Sequence, residues 1–264
     1  MFHNEQIHRT AREQSAADMG CSADDFLKSE SVVTDFCLGK KARVYYQEPI
    51  ACHFVSYGSN VVAAAKPDVK EIAAEYVKRY DHYHLFETPN CLWLNEKLAR
   101  FGQKVCFMAY YFLPDVRKLT RLDCRYETRL LHPKDFEPLY TKAWRNALCA
   151  DRKELDVLGV GAYDGGRLIG LAGCSADCET MWQIGVDVLP EYRRQGVASA
   201  LTSRLAVEVL AHGKVPFYCC AWSNIPSARN AVKSGFLPAW AEMTVKPADF
   251  VEKANAVDGE RKTG

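Results

Sequence analysis

The sequence lacks the features that would place a protein at a membrane or on nucleic acid. It contains no apolar run as long as a membrane span, and residues 1–6 lack the apolar core of a signal peptide. Its formal net charge is only +1, so it has no general electrostatic attraction to nucleic acid or to an anionic lipid surface. The prediction is a cytoplasmic protein with neither nucleic acid nor a membrane as its partner.

The sequence also lacks a metal-binding or disulfide pattern, although cysteine is abundant. The 11 cysteines are odd in number and include no Cys-x-x-Cys spacing. Cys106 and Cys219 lie in apolar, strand-like runs, where cysteine behaves as a small hydrophobic residue. The pair His82 and His84 has no third ligand that can be named. The sequence therefore predicts reduced thiols and no metal site.

The rest of the composition is that of an ordinary globular protein, with 48% hydrophobic and 25% charged residues. A length of 264 residues gives room for one large domain or two small ones, and the charged segment 115–125 is typical of a linker. We therefore predict an N-terminal αβ domain over residues 1–125, a second domain over 126–250 and a charged C-terminal tail over 251–264. The expected assembly is a monomer or a homodimer.

Turn residues and periodicity divide the first domain into helices and strands. Helices are predicted over residues 4–19, after a capping-box-like pair of Asp68 and Glu71, and from Thr88 to a stop at Gly102. Strands are predicted over residues 43–46, 52–57, 61–65, 84–86 and 104–112, the last of them covered on both faces.

The order strand, helix, strand, helix, strand from Val61 repeats in the second half of the chain from Ile184. One hypothesis is that residues 1–125 hold a degenerate copy of the second domain. The copy lacks a glycine loop, because Lys66-Pro67-Asp68 stands where Arg194-Gln195-Gly196 would be. The alternative is convergent order, since strand–helix alternation is common in αβ proteins.

A strand followed by a helix is the best-marked part of the second domain. Apolar residues alternate with others from Trp182 to Val188, and Pro190 then ends the strand. From Gly196 the period becomes helical, with an apolar stripe of Val197, Leu201, Leu205 and Val209. Further strands are predicted over residues 127–131, 155–163, 167–172, 215–221 and 239–245, with a two-residue turn at Gly165-Gly166. The loop 135–140 is predicted to lead into the first helix of this domain, and a short helix is predicted over 227–233.

The junction between that strand and helix suits an anion. The first turn of a helix leaves backbone N–H groups without partners, and the helix dipole makes that end electropositive. Gly196 and Ala198 are small enough for a diphosphate to approach the backbone, and Arg193 and Arg194 add positive charge. The alternative is an ordinary strand–turn–helix corner with a solvated pair of arginines.

Two blocks of sequence resemble a known family. Arg193-x-x-Gly196-x-Ala198 looks like the acetyl-CoA signature of the GNAT N-acetyltransferase superfamily, and Asn224 followed by a helix that closes in Gly235-Phe236 looks like its next segment. The resemblance covers roughly the second half of the chain. It implies an α/β (α+β) fold with a mixed, mostly antiparallel central sheet flanked by helices.

The resemblance also implies a site for acetyl-CoA as cosubstrate, in a splay between the strand before the loop and the strand after the helix. Backbone groups near Val188 and Leu189 would hold the pantetheine arm, and the loop N–H groups would surround the pyrophosphate. Asn224 would bind the pantetheine as well, although its typical use is a helix N-cap and both roles can hold together. The implied cofactor-binding residues are Val186, Asp187, Val188, Leu189, Arg193, Arg194, Gln195, Gly196, Val197, Ala198, Ser199, Asn224, Ser227 and Asn230.

The usual proton-transfer residues of the family are absent or displaced. Many relatives carry a tyrosine acid where this chain has Ala231, and some carry a glutamate base where it has Trp182-Gln183. The remaining catalytic candidates are Glu179, Asp177 and Tyr218, and the two carboxylates could equally be solvated surface charges.

Two functions of different class follow. The first is an N-acetyltransferase that transfers the acetyl group to a primary amine, by direct attack in a ternary complex, with activity rising through the neutral pH range. The second is a non-catalytic acyl-CoA-binding or sensing protein. The acceptor is expected to be a small-molecule amine, because no acidic run would attract a basic peptide.

Overall fold

The computed structural model describes residues 2–256 of the chain. Its α-helices are α1 (Asn4–Met19), α2 (Lys70–Arg79), α3 (Thr88–Leu98), α4 (Val197–Ala211), α5 (Ile225–Lys233) and α6 (Ala248–Ala256). Its strands are β1 (Val32–Asp35), β2 (Cys52–Ser56), β3 (Val62–Ala65), β4 (Gln103–Pro114), β5 (Glu127–Leu131), β6 (Asp156–Asp164), β7 (Arg167–Ser175), β8 (Met181–Val188), β9 (Val215–Ala221) and β10 (Phe236–Pro247).

The chain forms two compact units. The larger unit comprises residues 2–11 and 110–239, and its strand order is β4-β9-β8-β7-β6-β5. β8 and β9 run parallel, whereas β5 to β8 form an antiparallel meander. The apolar stripe of α4 packs on one face of this sheet, as the period-3.6 pattern predicts. The opposite face carries a second apolar cluster around Phe136, Trp144 and Leu171.

The smaller unit comprises residues 12–109 and 240–256, with strand order β1-β3-β2-β10. One face of its sheet is apolar and packs against α2 and α3. Its other face carries a buried group of charged and polar side chains centred on Arg43, which we call the Arg43 cluster. Arg43 is fully buried, with its Nε 3.3 Å from Asp18 Oδ2 and its Nη1 3.5 Å from Glu242 Oε1.

The predicted fold class is confirmed, because the strands of each unit form a mixed, mostly antiparallel arrangement flanked by helices, within one ten-stranded sheet. The helix over residues 4–19 and the strand over 127–131 have the predicted bounds. The turn at Gly165-Gly166 joins β6 to β7 with positive φ at both glycines, as a tight hairpin requires.

Three predicted elements of the smaller unit are wrong. Residues 43–46 are not a strand: a 3-10 helix spans Val44–Gln47, because the successive residues Tyr45 and Tyr46 both contact the Arg43 cluster. A strand would point them to opposite faces. Residues 84–86 form turns, and the Leu85 carbonyl accepts a hydrogen bond from the Tyr76 hydroxyl instead of from a neighbouring strand.

The predicted capping box before α2 is also wrong. The N-cap is Val69, which has no side-chain cap, and the helix begins at Lys70. β4 is longer than predicted, and its first half is not covered on both faces, since Phe107 is 54% exposed. The short strand β1 was not predicted.

Two regions of the second domain also depart from prediction. Between β5 and β6 the chain forms short 3-10 turns rather than an α-helix. Residues 248–256 form α6 where a charged tail was expected to begin, and residues 257–264 lie outside the described part of the chain.

The predicted division of the chain into domains 1–125 and 126–250 stays a prediction. The compact units divide the chain elsewhere, after residues 11, 109 and 239, so that β4 and β10 each contribute to both. The duplication hypothesis also stays a prediction. It loses one of its matching elements, because residues 84–86 are turns.

The structure adds three observations on chemistry and location. Each of the eleven cysteines is free. Within residues 2–256, no group of three or more His, Cys, Asp or Glu side chains is arranged to hold a metal ion. No helix in that range combines the length and the apolar character needed to cross a membrane.

Candidate active site

Strands β8 and β9 run side by side and then separate. Their parallel pairing joins Met181–Ile184 to Val215–Tyr218 and ends there, although β8 continues to Val188 and β9 to Ala221. β8 stays paired with β7 along its other edge as far as Val188. A fork therefore opens beyond Ile184 and Tyr218, where backbone groups of both strands lose their ladder partners.

Strand alternation decides which backbone groups of β8 face the fork. The Leu189 N–H donates to the Ile169 carbonyl at 2.9 Å, on the β7 side. Successive residues present their N–H and C=O groups to opposite edges of a strand, so those of Val186 and Val188 face the fork. Of the residues predicted to contact the pantetheine, Val186 and Val188 therefore turn backbone groups toward the fork, whereas Asp187 and Leu189 turn theirs toward β7.

Two residues of the turn into α4 have left-handed backbone conformations. Arg194 has φ 60° and Gly196 has φ 82°, a region that L side chains rarely adopt. Gly196 is the N-cap of α4 and provides no side-chain cap for the first-turn N–H groups. A Cβ added at Gly196 would meet nothing nearer than Lys233 Nζ, at 3.9 Å. Open space and uncapped N–H groups at a helix start suit a phosphate.

Two of the predicted loop side chains hold the turn itself. Arg193 Nε donates to the Val188 carbonyl at 3.0 Å, which joins the turn to the end of β8. Gln195 accepts from the Tyr126 hydroxyl at 2.9 Å and donates to the Glu191 carbonyl at 3.0 Å. These contacts fix the loop shape, so its backbone is preformed for an anion.

The first turn of α4 lies directly behind the loop. Val197 is buried in the core of the larger unit, and Ala198 is half-buried. Ser199 Oγ donates to the Gly196 carbonyl at 3.0 Å, so its hydroxyl is used within the turn. Of these three residues, Ala198 is the most exposed beside the loop.

Lys233 is a further candidate for binding a phosphate, although no sequence motif indicates it. It is the last residue of α5, yet its ammonium group lies beside Gly196 at the start of α4. A second cation at the phosphate position would add to the helix dipole. No local motif contains it, since two separate elements bring the residues together.

The start of α5 carries the remaining predicted contacts. Asn224 is its N-cap and accepts from the Ser227 N–H at 3.2 Å, so the expected capping role is present. Ser227 Oγ lies 2.7 Å from the hydroxyl of Tyr218, the last residue of β9 that is paired with β8. Asn230 Nδ2 donates to Thr202 Oγ1 at 3.1 Å, which joins α5 to α4.

A loop from the other face of the sheet crosses β8 at the fork. Asp187 accepts three hydrogen bonds from it: Asn146 N at 2.8 Å, Asn146 Nδ2 at 2.6 Å and Ala147 N at 3.0 Å. The loop lies against the cross-strand glycine pair Gly173 and Gly185. A Cβ at Gly185 would come within 1.7 Å of the Asn146 carbonyl oxygen, and one at Gly173 within 2.1 Å of that of Ala147. The Asp187 carboxylate is therefore engaged in positioning this loop.

Comparison with known proteins identifies the domain that carries this site. Residues 113–236 match the family model described as Acetyltransferase (GNAT) family. The chain therefore carries a GNAT acetyltransferase domain. Such a domain supports acyl transfer with acetyl-CoA as the donor. No curated protein sequence matches the chain.

The chain is also similar in fold to solved structures, but its sequence identity to them is low. A protein from Novosphingobium aromaticivorans DSM 12444 assigned to the GNAT family is 21% identical, over 55% of this chain and 66% of that one, with TM-score 0.40. A GCN5-related N-acetyltransferase-like protein from Streptococcus suis 89/1591 is 18% identical, over 76% and 85%, with TM-score 0.46. A GCN5-related N-acetyltransferase from Kribbella flavida is 13% identical, over 75% and 87%, with TM-score 0.46. These likenesses are too distant to indicate a substrate.

The GNAT domain of this chain has no donor at the family's usual tyrosine position. Ala231 is 0% exposed and packs in the core of the larger unit. A tyrosine there would overpack that core, so the substitution Ala231→Tyr is a poor test of catalysis.

The two carboxylate candidates lie far from the fork. Asp177 is buried, pairs with Arg152 and accepts from Ser175 Oγ at 2.7 Å, which gives it a structural role. Glu179 is exposed, and its main-chain oxygen accepts from Lys214 Nζ at 2.7 Å. Both precede β8, whereas the fork lies at the other end of that strand. The structure does not bring either together with the predicted cofactor site.

Proposed function

We propose that the chain is an N-acetyltransferase that transfers the acetyl group of acetyl-CoA to a primary amine of a small molecule. The observation that supports this most is the fork itself. There the backbone groups of Val186 and the N–H of Val188 face the gap, and the left-handed turn at Gly196 follows the end of β8. A pantetheine arm would add to the strand edge while its pyrophosphate reaches the start of α4.

The residues of the fork fit that cosubstrate chemically. In the proposed complex the backbone of residues 194–199 holds the pyrophosphate, and Arg194 and Lys233 supply positive charge beside it. Asn224, Ser227 and Asn230 line the α5 side, with Asn224 also capping the helix. Arg193 and Gln195 act indirectly, by holding the loop.

The amine attacks the thioester carbon directly in a ternary complex. The Asp187 carboxylate holds the loop at Asn146 and Ala147, and Asp177 and Glu179 lie beyond the other end of β8. The amine therefore enters neutral from solution, and free alkyl amines have pKa values of about 10.4. Activity rises with pH through the neutral range, because the neutral fraction of such an amine rises tenfold per pH unit.

The wider setting follows from the same proposal. All eleven cysteines are free, which supports a reducing compartment such as the cytoplasm. The proposed partners are acetyl-CoA and the amine, and the proposed assembly is a monomer or a homodimer.

One experiment tests both the cosubstrate site and the turnover. The wild type and Gly196→Asp are titrated with CoA by calorimetry, and acetyl-CoA consumption is followed against a panel of primary amines. Asp at this position puts a side chain and a negative charge where the pyrophosphate lies and cannot easily adopt φ 82°. We expect at least a tenfold loss of CoA affinity, or about 1.4 kcal/mol, together with loss of turnover.

Gly213→Asp is the matched control, since Gly213 also has positive φ and open surroundings but lies at the other end of α4. Equal CoA affinity in wild type and Gly196→Asp would show that the pyrophosphate site is wrong. CoA binding without turnover on any amine would favour the acyl-CoA-binding function instead.

A further inference from the structure

The departing thiolate of CoA needs stabilisation that the family's usual position does not supply here. Ala231 carries no donor and is buried, and a carboxylate would repel a thiolate rather than stabilise it. Two hydroxyl groups instead come together at the point where the fork opens. They belong to Tyr218 on β9 and Ser227 on α5, and their oxygens are 2.7 Å apart.

The geometry gives the two hydroxyls different roles. Tyr218 is 4% exposed and packs in the core between the sheet and the helices, and its hydroxyl contacts the side chains of Ser227 and Asn230. Ser227 is half-buried and lies in the first turn of α5, one helical turn before Ala231 and on the same helix face. Its backbone is fixed by the Asn224 cap. Ser227 is thus the member of the pair that a ligand in the fork can contact.

We propose that the Ser227 hydroxyl, oriented by Tyr218, donates the hydrogen bond that stabilises the thiolate of coenzyme A. This inference rests on the proposed function. Either hydroxyl can donate across their 2.7 Å contact, and in the proposed arrangement Tyr218 donates to Ser227 Oγ, so that the serine hydrogen points into the fork. Burial raises the pKa of Tyr218, so the phenol keeps its proton throughout the neutral range. Ser227 is the catalytic residue of the pair and Tyr218 is the positioning residue.

Acetyl transfer to the amine needs neither an oxidant nor an acidic side chain of the protein. The amine nitrogen forms a bond to the thioester carbon, the carbon–sulfur bond breaks, and its electron pair stays on sulfur. Ser227 donates a hydrogen bond to that sulfur, as preorganised donors do for other developing anions. The new ammonium loses its proton to water, and the released thiolate takes one from water. Both hydroxyls end the step protonated, so kcat should show no alkaline fall below about pH 10.

The test measures binding, so it needs no acceptor. Calorimetry compares CoA with desulfo-CoA, in which hydrogen replaces the thiol, from pH 7 to pH 10 for the wild type, Ser227→Ala, Ser227→Thr and Tyr218→Phe. An alkyl thiol ionises near pH 8.5. The wild type should therefore come to prefer CoA over desulfo-CoA by about tenfold as pH rises, the value of one hydrogen bond to a charged group. The preference should vanish in Ser227→Ala and survive in Ser227→Thr.

The result is expressed as the ratio of the affinities for CoA and desulfo-CoA. Ionisations that change both affinities equally therefore cancel. The titratable groups against Tyr218 are the thiols of Cys219 and Cys220, and burial raises the pKa of Cys220. Their ionisation affects both ligands alike. Tyr218→Phe should keep its affinity for desulfo-CoA but lose most of the CoA preference, which a purely structural change would not do.

The outcomes separate this proposal from the proposed function. A wild type whose CoA preference does not change with pH, or a preference that Ser227→Ala retains, would overturn the role of the hydroxyl pair while leaving CoA binding intact. Failure of the wild type to bind either ligand would overturn the cosubstrate site and this inference with it. On the amine found by screening, kcat of Ser227→Ala should fall about a hundredfold with KM for acetyl-CoA unchanged.

Discussion

Replacing Arg43 with methionine is expected to destabilise the protein by about 3–5 kcal/mol, a large part of a typical stability of roughly 5–15 kcal/mol. The Arg43 guanidinium is fully buried between the carboxylates of Asp18 and Glu242, which are themselves buried. Methionine fills much of the same volume but leaves two buried carboxylates without that cation. The free energy of unfolding is measured by urea titration followed by circular dichroism.

The partners of Glu242 show how closely the cluster depends on charge balance. Burial alone would raise the pKa of Glu242, but the hydrogen bond and charge of His53, with Arg43 and Tyr46, lower it to about 2. Burial raises the pKa of Asp18 despite Arg43, so that carboxylate is the less well compensated of the two. Loss of Arg43 should raise both pKa values and favour protonation over an unpaired buried charge.

Arg79→Met is the matched control, because Arg79 is an exposed arginine of the same unit that stacks over Trp93. It removes the same charge and should cost less than about 1 kcal/mol. Equal costs for the two variants would show that the Arg43 cluster contributes no special stability.

Replacing Gly185 with alanine is expected to lower the free energy of unfolding by about 3 kcal/mol. The new Cβ would stand 1.7 Å from the Asn146 carbonyl oxygen, which is backbone and cannot rotate away. Either β8 or the crossing loop must move, and movement of the loop breaks its hydrogen bonds to Asp187. Gly185 directly follows Ile184, the last residue of β8 that is paired with β9, and therefore lies where the fork opens. The variant should for that reason also reduce acetyl transfer to the amine.

Gly159→Ala is the control for a glycine in a strand of the same unit. Its Cβ would meet the Ala172 carbonyl oxygen at 3.1 Å, a contact that shifts of a few tenths of an ångström relieve. The control should cost clearly less than Gly185→Ala in the same urea titration. A Gly185→Ala variant with wild-type stability and wild-type KM for the amine would contradict the close packing of this loop.

Local sequence signals account for most residues of the proposed cosubstrate site. Gly196 was identified because a helix start with small residues exposes N–H groups, and its backbone is indeed left-handed. Asn224 was expected as a helix N-cap and is one. Both depend on residues within a few positions of each other, which is the range that periodicity and capping patterns describe.

The features that the sequence did not reveal depend on contacts between distant segments. Lys233 reaches Gly196 only because α5 ends beside the start of α4. Asp187 was expected to contact the cosubstrate, yet it holds a loop that lies about forty residues earlier in the chain. A glycine inside a strand was the one available signal, since it often marks a close backbone approach. Nothing in the sequence near Arg43 indicates the buried carboxylates, which lie on α1 and β10.

The most direct test of the central claim is amide hydrogen exchange of the full chain with and without CoA. If CoA lies in the fork, exchange should slow in residues 186–189, in the loop 193–199 and at the start of α5 around Asn224–Ser227. The smaller unit, residues 12–109, should exchange at unchanged rates, because it has no left-handed glycine turn at a helix N-terminus like that at Gly196 among its described residues. Protection confined to the smaller unit, with no change at 193–199, would contradict the account.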